Sequence, residues 1–479
     1  MKTIPMLENL TISSEKTIQH AMETVNENGR GICFVLKDKK LVGVISDGDL
    51  RRSLLKGSNL KTPIKDMMNK NYIFLPVTSE NTLIRSTFTK ELKMIPLCDE
   101  LGNLVDVADI LRSHRIPILE PLLVGRELEY VQNCIQTNWI SSQGQYVTQF
   151  EDVFSKMHNK NDALAVSNGT VALQLALLSL GIGEGDEVIV PNITFAASIN
   201  AVLHCNATPV LCEIDPETWC IDCNEIEKLI TSRTKAIMPV HLYGQVCEMN
   251  DLSTLARTHE LFIIEDCAEA IGSLYNEHPV GTFSDAATFS FFGNKTISTG
   301  EGGMVLFRNP EIAQKAKILR DHGMTPGKRY WHEQVGHNFR LTNIQAAIGV
   351  AQMERLNEIV DRKMIIANNY DMELCDIETI SMLPYKQKNT RHSNWLYTVI
   401  LDKKIDRDKI MKLLMLNGIE TRPVFYPLHE MPPYQKYTHS ENLTNSMRIS
   451  YSGLSLPSAA TIKDEDLEFI IKNLKEILK

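Results

Sequence analysis

The stretch Ala287-Thr-Phe-Ser-Phe-Phe-Gly-Asn-Lys295-Thr-Ile-Ser-Thr-Gly-Glu-Gly-Gly-Met304 decides the reading of this 479-residue chain. It reads as the end of an apolar strand, a turn carrying one lysine, and a glycine-rich corner. Phe289, Phe291 and Phe292 predict a dry surrounding for that lysine. Most lysines keep their ammonium in water. A desolvated one has a lowered pKa and offers a nucleophilic amine, which can form a Schiff base with a carbonyl compound. A surface lysine laid along a turn fits the same residues, so other stretches must decide.

The runs Ala163–Val166, Glu187–Val190, Thr208–Cys212, Ala236–Val240 and Leu261–Ile264 are short and apolar, with helical segments between them. This pattern predicts an α/β fold with a mainly parallel sheet covered on both faces. Ligands of such sheets sit at the C-terminal strand ends. After the first run comes Ser167-Asn-Gly169-Thr170, small residues opening a helix whose free N–H groups and dipole suit an anion. An ordinary capped helix would look the same. The glycines of Gly181-Ile-Gly-Glu-Gly185 precede a strand and read as a turn. After Leu261–Ile264 comes Glu265-Asp266-Cys-Ala268-Glu269. An acid at the end of a buried strand needs a partner. A pyridinium nitrogen is one, and the pairing makes the ring an electron sink. After Glu187–Val190 comes Pro191-Asn-Ile-Thr-Phe195, whose ring either lies flat on an aromatic cofactor or fills the core.

Anion cup, buried acid, flat aromatic and dry lysine on strand ends together resemble the pyridoxal-phosphate-dependent sugar aminotransferases of the DegT/DnrJ/EryC1/StrS family, over about residues 118 to 479. The resemblance implies a fold-type I enzyme with a large domain over 116–360 and a small C-terminal domain over 361–479. Strands are expected there at Trp395–Leu401 and Met447–Ser452. It implies pyridoxal 5'-phosphate as cofactor, Lys295 as the Schiff-base lysine and Asp266 on the pyridine nitrogen. It further implies Phe195 and Ala268 on the ring faces, and Gly169, Thr170 and Ser290 at the phosphate. Glu269 stands near the cofactor hydroxyl, where the family often has Gln or His. Members with histidine in place of the lysine are dehydratases, so the lysine here implies transamination.

A second block, Asp321 to Gly349, ends in a small-residue helix suited to close packing and carries Asn338. The resemblance places Asn338 at the phosphate in the neighbouring subunit's site, and so implies a homodimer or larger assembly. Lys328-Arg329-Tyr-Trp-His332 and Glu420-Thr-Arg422-Pro-Val-Phe-Tyr426-Pro-Leu-His429 are most similar to the perosamine synthases within the family. These aminate a GDP-linked 4-keto-6-deoxyhexose, with glutamate as the expected donor. Lys328, Arg329, Arg340 and Arg422 offer cations for a diphosphate or for the donor carboxylate. Tyr426 and His429 join them as substrate-binding candidates. The competing readings are a UDP- or dTDP-linked keto sugar, and a nucleotide-sensing regulator that has lost catalysis.

Residues 1–115 hold two similar units. The first has a helical segment Thr17–Asn28, a strand Gly31–Leu36, a turn, a second strand from Leu41 and a helix. The second repeats this with a helix near Thr82–Thr89, a strand Met94–Cys98 and the run Leu104–Leu111. Such a unit cannot bury its face alone, so two pack as one small domain. Gly43-Val-Ile-Ser46-Asp47-Gly48-Asp49-Leu50-Arg51-Arg52 resembles the ribose-binding segment of a tandem CBS pair. The resemblance implies that Ser46 and Asp49 hold an adenine or guanine nucleotide that tunes or tethers the enzyme. Ser46 as a simple N-cap is the plainer reading. The second copy departs from this pattern around Val105 and Asp106, where the first has Gly43 and Ser46 in its motif, so a second nucleotide site is not expected. Ser113–Pro121, with two prolines, predicts an extended linker.

The net charge of −9 and the lack of a basic block argue against nucleic acid as a partner. No apolar run is long enough for a membrane span. Met1–Leu10 has no apolar core and carries an early acid, so no signal peptide is expected. The ten cysteines sit mostly in apolar runs, as small hydrophobes do in a reducing cytoplasm. Cys220-x-x-Cys223 has no second pair at zinc spacing, so no metal is expected.

Overall fold

The computed structural model describes residues 7–79, 81–89, 92–109, 116–159, 162–385, 387–438 and 443–479. The chain forms two compact units. One comprises Met1–Pro117, Asp408–Thr421 and Lys472–Ile477, the other Ile118–Arg407, Arg422–Ile471 and Leu478–Lys479.

The first unit contains β1 (Thr11–Ser13), α1 (Ile18–Asn28), β2 (Ile32–Lys37), β3 (Lys40–Ser46), α2 (Asp47–Leu55), β4 (Leu75–Pro76), α3 (Asn81–Thr87), β5 (Met94–Cys98) and β6 (Leu104–Asp109). β1 pairs parallel with β2, and β2 antiparallel with β3. β4, β5 and β6 repeat this arrangement. The repeat in the sequence is thus one connectivity used twice. Ile18, Ala21 and Val25 fall on one face of α1, at the spacing an amphipathic helix requires. They share a core with Cys33, Val35, Ile45 and Leu50. Ile110, Leu111 and residues 113–115 of the expected linker lie outside the described residues. Beyond them Ile116 is buried. Its N–H donates to Gly418 O at 3.0 Å, and its carbonyl accepts from the Glu420 N–H at 3.0 Å. At Ile116 the expected linker is therefore paired backbone.

The second unit opens with α4 (Glu127–Gln136) and α5 (Gln145–Met157). The alternation follows: β7 (Asp162–Val166), α6 (Gly169–Ser179), β8 (Glu187–Pro191), α7 (Ala197–His204), β9 (Thr208–Cys212), α8 (Cys223–Leu229), β10 (Thr234–Ile237), α9 (Met249–Thr258) and β11 (Phe262–Asp266). The short β12 (Leu274–Tyr275) and β13 (His278–Pro279) precede β14 (Ala286–Ser290) and β15 (Gly303–Phe307). Seven strands form one sheet in the order β7-β15-β14-β11-β10-β8-β9. β15 is antiparallel to both neighbours, and the remaining pairings are parallel.

Both faces are covered, which is why the strands read as unbroken apolar runs. Ala163 and Ala165 of β7 face a core with Phe150, Phe154, Phe289 and Phe291. Leu164 and Val166 face the opposite core with Leu173, Leu177 and Val305. α6 carries apolar residues all round because it is buried on nearly every side. Phe154 is enclosed, edge-on to Phe289 at 4.8 Å between centroids and to Phe291 at 5.7 Å.

After α10 (Pro310–Arg320), α11 (Asn343–Glu354) and α12 (Leu356–Leu374), a second sheet forms. Its strands are β16 (Ile380–Met382), β18 (Tyr397–Leu401), β19 (Arg422–Pro423) and β20 (Gly453–Leu456), in the order β16-β18-β20-β19; β17 (Thr390–Arg391) pairs with β12. α11 is the expected close-packing helix: a Cβ on Gly349 would lie 2.7 Å from the Phe150 ring. The expected strand at Met447–Ser452 is wrong, since Thr444–Ser452 is a helix. Glu213 is the cause. It follows β9 and accepts the N–H groups of Asn445 at 2.8 Å and Ser446 at 3.0 Å. These first-turn donors have no partner inside the helix, and a cap more than two hundred residues upstream is invisible to a local pattern.

Truncating Phe154 leaves a cavity between α5 and the sheet. Phe154→Ala should cost about 3–5 kcal/mol of stability in chemical denaturation.

Candidate functional site

The strands of a parallel sheet end on one edge, so their following residues meet there. β11 ends at Asp266, paired in register with Thr288 of β14, and β14 ends at Ser290. β7 delivers the start of α6 to the same edge through β15, where Gly303 pairs with both Val166 and Ser290.

Asp266 is buried, accepting from Ser198 Oγ at 2.8 Å and from the Ala268 N–H at 3.1 Å. Desolvation raises its pKa, while these hydrogen bonds and the charge of Lys295 oppose the rise. The Lys295 side chain is 12% exposed, and its Nζ lies 3.6 Å from Glu269 Oε1. The same Nζ sits 3.7 Å from the centroid of the Trp395 ring. Desolvation lowers the pKa of this amine, against the pull of Glu269 and Asp266. The charge of Arg422, which opens β19, lowers it a little further. Glu269 is buried and accepts the Tyr243 N–H at 2.8 Å.

The dryness around Lys295 does not come from the phenylalanines beside it in sequence. Phe291 packs on Phe150 at 5.0 Å, Phe289 on Phe154, and Phe292 is 47% exposed. The cover is Trp395, whose Nε1 donates to Asn294 O at 2.7 Å. Sequence reading missed Trp395 as a site residue, because a hundred residues separate it from the lysine. It also missed Ser198, one turn beyond Thr194; the Thr194 and Ser198 hydroxyls are 2.8 Å apart. Two hydroxyls at i and i+4 after a strand end were the available signal.

Phe195 is 60% exposed and so is not core. Its ring centroid lies 5.9 Å from that of Phe425, and Ala268 is half-buried next to Asp266. At the start of α6 the Asn168 side chain takes only the Val171 N–H, at 3.0 Å. The first-turn N–H groups of Gly169 and Thr170 have no acceptor within the helix. Gly169 is required by closeness, since a Cβ there would lie 2.7 Å from Ser290 Cβ. The two elements thus form one narrow cradle.

Asn338 and Arg340 lie along the end of β7, where the Ser167 N–H donates to Phe339 O at 2.8 Å. Arg340 is engaged with Asp321 at 2.7 Å and with Asn338 Oδ1 at 3.1 Å. His429 reaches the strand ends: its N–H donates to Asn192 Oδ1 at 3.1 Å, and Asn192 follows β8. Tyr426 is exposed, its ring 6.0 Å from that of Tyr451. Lys328 and Arg329 are not brought to Lys295 within this chain. Lys328 Nζ lies over Trp331 at 3.6 Å, Arg329 over Tyr330 at 4.9 Å, and both line a surface hollow with Gln314, Lys317 and Asp321.

In the first unit, Ser46 and Asp49 form a capping box on α2. Ser46 Oγ donates to Asp49 Oδ2 at 2.6 Å and accepts from the Asp49 N–H at 3.2 Å, while Asp49 Oδ1 pairs with Arg52 at 2.7 Å. The capping role is therefore present in full. Among the described residues His241, Glu265 and Cys267 could approach a metal. Glu265 is already occupied by His241, Ser284 Oγ and the N–H groups of Gly281 and Phe283. The cysteines are all free, and most are buried.

A model of the DegT/DnrJ/EryC1/StrS aminotransferase family matches residues 121–475, and a CBS-domain model matches residues 1–56. The chain is 45% identical to the GDP-perosamine synthase of Caulobacter vibrioides over 366 residues, 76% of this chain and 98% of that protein. It is 45% identical to the GDP-perosamine synthase of Vibrio cholerae over 363 residues, 75% of this chain and 98% of that one. Among solved structures, the PLP form of the putative sugar aminotransferase Spr1654 from Streptococcus pneumoniae superposes with a TM-score of 0.72 at 27% identity. That match covers 76% of this chain and 99% of Spr1654.

Burial holds the Glu269 carboxyl up at about 7, against 4.5 for a free glutamate, with the charge of Lys295 opposing the rise. A carboxyl raised in the folded state adds stability that is complete below its unfolded pKa and is lost as pH rises through its folded one. Between pH 4.5 and about 7 the cofactor-free protein should lose stability relative to Glu269→Gln. Denaturation at stepped pH measures this, and parallel curves for the two proteins would refute it.

Proposed function

The chain belongs to the DegT/DnrJ/EryC1/StrS aminotransferase family, a pyridoxal-phosphate-dependent group, and we propose that it moves an amino group from glutamate to a GDP-linked 4-keto-6-deoxymannose, giving GDP-perosamine. The observation that carries the proposal is the single sheet edge shared by a desolvated amine, a buried acid and a cradled helix N-terminus. Identity of 45% to GDP-perosamine synthases along nearly their whole length supports the choice of sugar.

The residues fit the cofactor. The Gly169–Ser290 cradle, with Thr170, would hold its phosphate through first-turn N–H groups and hydroxyls. Asp266, fixed by Ser198, would keep the pyridine nitrogen protonated. Phe195 and Ala268 would flank the ring, and Glu269 would lie by its hydroxyl. Pyridoxal phosphate, when bound, supplies the electron sink for a carbanion at the substrate carbon. Lys295 Nζ does the proton work. Its lowered pKa makes a neutral amine available, able to take a proton from the donor carbon and return it at the far side of the transfer. Trp395 keeps water from that amine. Arg422 and His429 would meet the donor carboxylate or the diphosphate, with Tyr426 beside them. Lys328, Arg329, Arg340 and Asn338 would act across a homodimer, in the partner's site.

The first unit, we infer, binds an adenine or guanine nucleotide at Ser46 and Asp49, and calorimetry on the full chain with each nucleotide tests it. No heat with any of them would leave the capping box as the whole role of these residues.

Lys295→Ala should lose the visible absorption of the bound cofactor and turnover together; retained turnover would end the assignment. With glutamate as donor, the GDP-linked 4-keto sugar should turn over faster than its UDP- and dTDP-linked counterparts. A reversed order would move the specificity to those sugars.

A further inference from the structure

Lys363 lies in the middle of α12 and is 3% exposed. Its Nζ turns inward and donates to three main-chain carbonyls, Asn394 at 3.3 Å, Trp395 at 3.2 Å and Ser458. An ammonium has three hydrogens and a neutral amine two, so this triad of acceptors is matched to the charged form. Burial pulls its pKa down to about 7, and the charge-assisted bonds to the carbonyls work to retain the proton.

Two of these bonds hold the main chain at Trp395 and the residue before it, and the third ties that segment to Ser458. The indole is fixed at its other end by Nε1 on Asn294 O, the residue before Lys295. Its ring stacks at 6.0 Å on Tyr243 and presents its face to Lys295 Nζ. Glu269, 3.6 Å from the same Nζ, and Asp266 favour the charged amine, while burial and Arg422 oppose it. One lysine therefore anchors the indole that orients the other.

We propose that Lys363 is a positioning residue for the strand-end amine, acting through the main chain and ring of Trp395. This rests on the reading of Lys295 as the reacting amine. A 1 Å misplacement of a reacting group can cost orders of magnitude in rate, so a clamp on the indole has a kinetic meaning beyond stability.

Lys363→Met removes every donor while keeping length and apolar volume. The full-length, cofactor-loaded enzyme is read by its visible absorption against pH and by steady-state kinetics. The midpoint of the absorption titration should move by about half a pH unit or more. kcat should fall about tenfold with KM for the sugar within about twofold. Trp395→Phe should move the midpoint in the same direction. The double variant should be no worse than Trp395→Phe alone, because the lysine acts through the indole. Where Lys363→Met does not fold, Lys363→Gln is read in its place with the same expectations. A folded variant with wild-type midpoint and kcat overturns the proposal, as does additivity in the double variant. Neither result touches the assignment of Lys295, which fails if Lys295→Ala keeps its turnover.

Discussion

A single amine is held between a buried carboxylate at 3.6 Å and the face of an indole at 3.7 Å. Desolvation pushes this amine toward neutrality and pushes the carboxyl beside it toward protonation. Each charge then survives mainly by the other's presence. Most of the surroundings can be understood as keeping that balance in place. The Tyr243 N–H orients Glu269, Asn294 holds the indole, and Ser198 fixes the neighbouring acid. The balance is sensitive because the site is dry; in water the same pair would be worth little.

The strand ends were legible in the sequence for a reason of geometry. A parallel sheet with two covered faces forces unbroken apolar runs, and the residues that follow such a run land on the sheet edge. Asp266, Gly169 and Phe195 were found this way. The environment of Lys295 was not legible in the same way. Its adjacent phenylalanines pointed to a dry site, but two of them serve the core around Phe150 and Phe154. The true cover arrives from Trp395, set by tertiary packing alone. Lys363 was hidden likewise: a lysine after Asp361 and Arg362 on a long helix reads as solvated, and only the fold turns its head inward.

The helix at Thr444–Ser452 makes the same point from the other side. Its alternating residues suit a strand, and a carboxylate from β9 decides the matter by taking two helix-end donors. Local preference is weak where a buried charge can supply what one conformation lacks. In the first unit local signals do suffice. Ser46 and Asp49 satisfy one another three residues apart, and the expected helix start is the observed one.

The antiparallel strand in the large sheet has a consequence for how the chain is made. β7 joins the sheet only through β15, with Ala163 opposite Leu306. During synthesis the early strand and the helices around it emerge long before their partner. Their pairing edge has no partner until the glycine-rich corner has been translated. The closing of that long loop brings β7 and the start of α6 alongside the end of β14, and it comes late because distant contacts form slowly. The cradle at Gly169 and Ser290 therefore needs β15 in place between its two strands, which ties ligand competence to completion of the sheet.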